Sequence, residues 1–235
     1  MKVVVLLLTS IALSGDVSGQ AIRLDDRSDW WSMYNEKEPG LPVELAHKDF
    51  DIRNFRVLGL SLAKLDFALV AAALGKARIV DRGDASYSRS QVCYISGRGP
   101  EPVHLIFEGG EGGSSSFYLF RGGPDWKRSN LCVRSDRVSP DLSTETGLRL
   151  GLSRVRVEAV LGKPDAVSKG RIAYCREFQR KATSREFESS VKEYPGHLTD
   201  EEAHRKFDFV PVTIQIEARF DSHGLGYLYV STVTE

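Results

Sequence analysis

The chain has 235 residues, 41% of them apolar and 27% charged, and its 32 basic and 32 acidic side chains balance to zero. That length can bury a substantial core, and the composition excludes both a disordered tail and a multi-span membrane protein. Zero net charge removes any whole-molecule attraction to nucleic acid, and three cysteines are too few for a disulfide-stapled miniature scaffold.

Lys2 precedes an apolar run over residues 3–13, broken only by Thr9 and Ser10. The run is much shorter than the roughly 20 residues a spanning helix needs. Ser14, Gly15, Ser18, Gly19 and Ala21 follow, which is the layout of a cleaved signal peptide over residues 1–21, cut after Gly19 or Ala21. The mature chain is then expected to be exported, periplasmic or secreted, with no transmembrane segment after cleavage. It keeps Cys93, Cys132 and Cys175. One disulfide and one remaining thiol is the simplest outcome, and spacing does not choose the pair. Residues 22–54 read as an N-terminal extension that packs Trp30, Trp31 and Tyr34 onto the body.

The first helix is predicted after Asp66, over residues 67–74, closed by Gly75. It is apolar nearly all round and is therefore expected to be deeply buried. Strands are predicted at 91–96, 102–107 and 116–120, with the glycine-rich residues 108–113 as a hairpin loop. A Gly/Pro-broken linker covers 121–144. The second helix begins after Ser153 and stops at Gly162 and Pro164, so cap and glycine stand nine residues apart in both helices. Residues 154–159 alternate polar and apolar, which is strand periodicity, but the end signals favour a helix. Strands follow at 172–178, 210–220 and 227–233, the last two joined by a glycine-bearing turn over 221–226. An insertion over about 181–206 carries Thr199 and Glu202 at capping-box spacing, predicting a short helix there. The order helix, strand, strand, strand thus occurs twice. The expected fold is α+β, with a first module at 55–120 and a second at 145–235.

Gly151, Leu152, Ser153, Val157, Leu161, Gly162 and Pro164 occupy the places of a pattern shared by bacterial envelope domains, and the stretch resembles the SmpA/OmlA (BamE-like) family. Tyr174 and the run Phe220, Asp221 and Gly224 are similar to that family's aromatic strand and hairpin. A more degenerate copy has Val70, Leu74, Gly75, Tyr94, Phe107 and Glu108, while Leu69 and Arg156 stand where the family has an acidic or Gln residue. Two such modules in tandem resemble the β-lactamase-inhibitor-protein (BLIP-like) fold. That resemblance implies two sheets joined side by side, helices on one face, and the other face available to a protein.

Residues 210–220 alternate most clearly. Val212, Ile214, Ile216, Ala218 and Phe220 share one parity, while Thr213, Gln215, Glu217 and Arg219 share the other. Tyr227 and Tyr229 alternate with Leu228 and Val230. With the apolar parities against the helices, an open face would carry Gln215, Glu217, Arg219, Tyr227 and Tyr229 and would bind a protein partner, since Tyr and Arg dominate such surfaces. Substituting the two tyrosines by Ala is then expected to leave folding intact.

Patterns with catalytic chemistry are thin. His197, Glu201 and His204 give one helical Glu-x-x-His pair, a remote basis for a metal-dependent hydrolase, but not the three or four ligands a metal needs. His47 and His104 have no local partner, Gly97 and Gly99 precede no helix start, and Ser114–116 lack a nucleophile elbow. The basic cluster Arg149, Arg154 and Arg156 lacks interleaved aromatics, so no nucleic-acid partner is expected. The expectation is a non-enzymatic protein without cofactor or metal that binds another envelope or extracellular protein. The alternative is a soluble assembly or scaffolding factor of the cell envelope.

Overall fold

The computed structural model describes residues 46–47, 51–82, 88–97, 101–110, 114–122 and 131–234. The expected leader at 1–21 and the cluster Trp30, Trp31 and Tyr34 lie outside the described residues. The first part of the chain forms β1 (Ala46–His47), β2 (Arg56–Val57), β3 (Leu60–Ser61), α1 (Phe67–Leu74), β4 (Val80–Arg82), β5 (Arg89–Ser96), β6 (Val103–Gly110), β7 (Ser115–Arg121) and β8 (Val133–Ser135). The second forms α2 (Arg154–Leu161), β9 (Ala166–Ser168), β10 (Arg171–Lys181), α3 (Ser184–Glu193), α4 (Asp200–Phe207), β11 (Phe209–Asp221) and β12 (Gly224–Thr234).

The fold is α+β, dominated by one large sheet in the order β1-β10-β11-β12-β7-β6-β5-β4, with β8 beside β5 and β9 beside β10. All its neighbours are antiparallel except β1 with β10 and β5 with β8. The central pairing is β7 with β12, which sets Tyr118 opposite Tyr229 and Phe120 opposite Tyr227. The two strand sets therefore make one continuous sheet. Val133–Ser135 falls in the stretch read as a linker, yet it joins the sheet through β5.

Both predicted helices form within one residue of their end signals. The Asp66 carboxylate accepts from the Ala68 amide at 2.7 Å, and the Ser153 hydroxyl accepts from the Arg156 amide at 3.4 Å. Gly75 and Gly162 close them at φ 98° and 80°, where a side chain would be strained. For residues 154–159 the cap and the glycine win over the alternation, because only Val157 and Leu161, one turn apart, are buried. In α1 the buried pair is Val70 and Leu74. The Tyr94 hydroxyl donates to the Gly75 carbonyl at 2.8 Å, and the Tyr174 hydroxyl donates to the Gly162 carbonyl at 3.0 Å. Each tyrosine thus satisfies a carbonyl that its helix end leaves orphaned.

One core cluster lies between these helices and the sheet, joining Val70, Leu74, Val157 and Leu161 to Leu105, Phe107, Phe117, Leu119, Ile214, Ile216, Leu228 and Val230. Fully burying each such side chain is worth about 1.5–3 kcal/mol. The deep burial expected for α1 does not occur. Ala68, Leu69 and Ala72 are exposed, because the helix forms a single layer with one side on the sheet and the other outward.

The β11–β12 turn seats against the entry to α2. Gly151 N–H donates to the Leu225 carbonyl and Leu225 N–H to the Leu152 carbonyl, both at 2.8 Å. Gly224 has φ 92°, and a Cβ there would lie 2.6 Å from the Gly151 carbonyl oxygen. The insertion forms two helices, each with a complete capping box, Thr183 with Glu186 and Thr199 with Glu202. They face each other through a Phe187–His204 stack at 4.7 Å and a Tyr194–Phe207 edge contact at 5.9 Å. Arg180 on β10 donates to Glu186 at 2.9 Å, tying the arm to the sheet.

Candidate functional site on the helix-free face

Register places the second side of the sheet row by row. One row runs Gln91, Glu108, Ser116, Ser231, Gln215 and Cys175; the next runs Cys93, Ile106, Tyr118, Tyr229, Glu217 and Ala173. A third contains His104, Phe120, Tyr227, Arg219 and Arg171. Gln215, Glu217, Arg219, Tyr227 and Tyr229 therefore all lie on this face, as their alternation predicts.

The face is not open at the tyrosines. Tyr227 is 2% and Tyr229 6% exposed, and Glu217 is buried as well. They belong to a second apolar cluster with Cys93, Ile106, Tyr118 and Phe120, onto which Val80, Leu131 and Cys132 pack. The Cys93–Cys132 disulfide holds Leu131 and Cys132 at that edge, and Cys175 remains a buried thiol whose titration burial pushes up. The polar groups are engaged internally too. Glu217 accepts from Arg171 at 3.0 Å and Arg219 at 2.7 Å, and the Arg219 guanidinium lies 5.0 Å from the Tyr227 ring centre. Alternation reports which side a residue faces, not whether further chain covers it. Of the five, only Gln215 is exposed.

The accessible part of the face lies one row away. A concavity of about 380 Å³ is lined by Arg89, Glu108, Ser114, Ser115, Ser116, Tyr118, Gln215, Tyr229, Ser231 and Val233. It straddles the β7–β12 junction, so strands from both parts of the chain build it. Its floor holds the Glu108 carboxylate, whose side chain is 3% exposed. Arg89 donates to one oxygen at 2.6 Å and Gln91 to the other at 2.5 Å, with the Ser116 and Tyr118 hydroxyls at 3.4 and 3.5 Å. Four donors around a buried carboxylate offset much of its desolvation and fix its position. Burial holds the Tyr118 phenol well above its ordinary range, so it stays a protonated donor. The concavity therefore presents hydroxyls, an amide and an ion pair over aromatic rings, a surface suited to hydrogen bonding.

Glu108 and Arg89 were not anticipated. Glu108 reads in sequence as the start of a glycine-rich loop, but β6 continues through Gly110. The signal was present, because His104, Ile106 and Glu108 share a parity opposite to Val103, Leu105 and Phe107. His104 is fully buried and stacks on Phe120 at 5.1 Å, and burial lowers its pKa to about 4.

In the insertion, Glu201 accepts from Arg205 at 2.9 Å and His204 pairs with Asp208 at 2.7 Å. Among the described residues no group of three or more His, Cys, Asp or Glu side chains is placed to hold a metal, and no helix is long and apolar enough to cross a membrane. Residues 98–100, next to Gly97, and residues 111–113 of the expected hairpin loop lie outside the described residues, as does the His47 side chain. No family model matches the chain, and no curated protein or solved structure matches it.

Proposed function

We propose that this is an exported, non-enzymatic protein that binds another envelope or extracellular protein through the helix-free face of its sheet, at the concavity floored by Glu108. The observation that carries the reading is the convergence of β5–β7 and β11–β12 on one polar hollow, while α1 and α2 occupy the opposite side. Tyr118 and Tyr229 supply aromatic floor, and Arg89 and Gln215 supply donors at the rim, a combination favoured at protein interfaces.

The chain is read further as two copies of one SmpA/OmlA-like module, joined side by side in the BLIP-like manner. The matching features support this: a capped helix with two buried residues one turn apart, a closing glycine, and a tyrosine bonded to that glycine's carbonyl, each found twice. The Cys93–Cys132 disulfide supports export, since such bonds persist in oxidising compartments.

Affinity capture from envelope extract and culture medium tests the reading. Recovery of one soluble protein is expected. Recovery of a membrane-embedded complex instead favours the assembly-factor alternative.

A further inference from the structure

The two charges inside the hollow neutralise each other. Arg89 donates to one Glu108 oxygen at 2.6 Å and Gln91 to the other at 2.5 Å. Among the described residues no other acidic or basic side chain lines the hollow. The pair differs in access: the Glu108 side chain is 3% exposed, whereas that of Arg89 is 40% exposed and forms part of the wall. Around it stand groups that both donate and accept, the hydroxyls of Ser114, Ser116 and Ser231 and the Gln215 amide.

We infer that the part of the partner entering the hollow is an uncharged loop tip carrying Asn, Gln, Ser or Thr side chains. The inference rests on the hollow being the partner-binding site. A cation entering it would stand against the Arg89 guanidinium. An anion would stand over the Glu108 carboxylate, or draw Arg89 away and leave that carboxylate buried without its counter-charge, which is strongly unfavourable. An apolar side chain would cover the hydroxyls and the amide without replacing the hydrogen bonds they make to water. Neutral amides and hydroxyls replace those bonds and bring no charge. The volume of about 380 Å³ suits a few side chains, since it stands near the lower end of small-ligand pockets. Charges lie beyond the hollow as well. In register, Arg82 stands beside Arg89 and Glu177 beside Thr213, and Glu217 in the neighbouring row is held by Arg171 and Arg219. Glu111 and Glu235 follow β6 and β12 outside the described residues. Charges at that remove act across water, where they steer the encounter more than they select the group in contact.

Partner capture by full chains carrying one new charge at the mouth of the hollow tests this. Gln215→Lys, Gln215→Glu, Val233→Lys and Val233→Glu all change exposed positions and should keep the wild-type thermal midpoint. A charge of either sign disfavours an uncharged occupant, so each of the four is expected to weaken capture by about tenfold or more. Gln215→Asn, which keeps the amide, should capture nearly as the wild type does. Opposite effects of Lys and Glu at either position, one of them strengthening capture, would mean a charged occupant. That result overturns the inference and leaves the hollow as the binding site. Capture unchanged in all four would remove the hollow as the binding site, and the inference with it.

Discussion

At the scale of single residues, the helix-free face depends on side chains whose polar ends are used inside the fold. Tyr229 is packed on Tyr118, with ring centres 4.9 Å apart, and is nearly inaccessible. Tyr229→Ala should therefore cost about 3–5 kcal/mol of stability, the range for large aromatic truncations, where alternation alone anticipated a neutral surface change. Urea unfolding monitored by circular dichroism measures this. His104 gives a second prediction. Its folded pKa is about 4, below the ordinary 6.5. Between those values the unfolded chain binds a proton that the folded chain refuses, so stability falls as pH drops from 6.5 to 4. The loss is roughly 3 kcal/mol at about 1.4 kcal/mol per pKa unit. His104→Phe keeps the stack on Phe120 and should lose correspondingly less over that range. Equal acid sensitivity in both proteins would contradict the assignment.

At the scale of elements, end signals proved more informative than periodicity. Asp66, Ser153, Gly75 and Gly162 delimit α1 and α2 correctly, because unpaired amides and left-handed closures are local requirements that sequence can announce. The Thr199-x-x-Glu202 box starts α4 as expected, while the Thr183-x-x-Glu186 box, of the same spacing, starts a second helix, α3, that the reading of the insertion did not include. Short strands such as β4, β8 and β9 were not legible, since three residues carry no usable period and form only because a long strand offers an edge. Pairing of the cysteines was likewise set by register: β8 lies beside β5 so that Cys132 comes next to Cys93. The bond closes a sequence separation of 39 residues. Replacing both cysteines by Ser should cost roughly 4 kcal/mol by loop-closure entropy, measured as a lowered urea midpoint, while Cys175→Ser in the buried thiol should not alter the disulfide.

At the scale of the molecule, the β7–β12 pairing turns two strand sets into one sheet, with helices on one side and a mixed aromatic and polar face on the other. The sequence identified the correct side for all five residues expected to bind a partner. It could not reveal that four of them are at least partly covered, because covering depends on side chains of other strands, such as Tyr118 against Tyr229 and Arg171 against Glu217. Nor could it place Arg89 and Glu108, on β5 and β6, in one hollow with Gln215 and Val233, on β11 and β12. That hollow is where a protein partner is expected to bind. Its most direct test is partner capture by a chain in which Gln215→Trp and Val233→Trp fill the concavity from exposed positions, compared with Val155→Trp on the outward side of α2. The filled chain is expected to lose capture by about tenfold or more at an unchanged thermal midpoint, while Val155→Trp captures normally. Undiminished capture by the filled chain would contradict binding at the hollow, and capture abolished by Val155→Trp would place the binding face on the helix side instead.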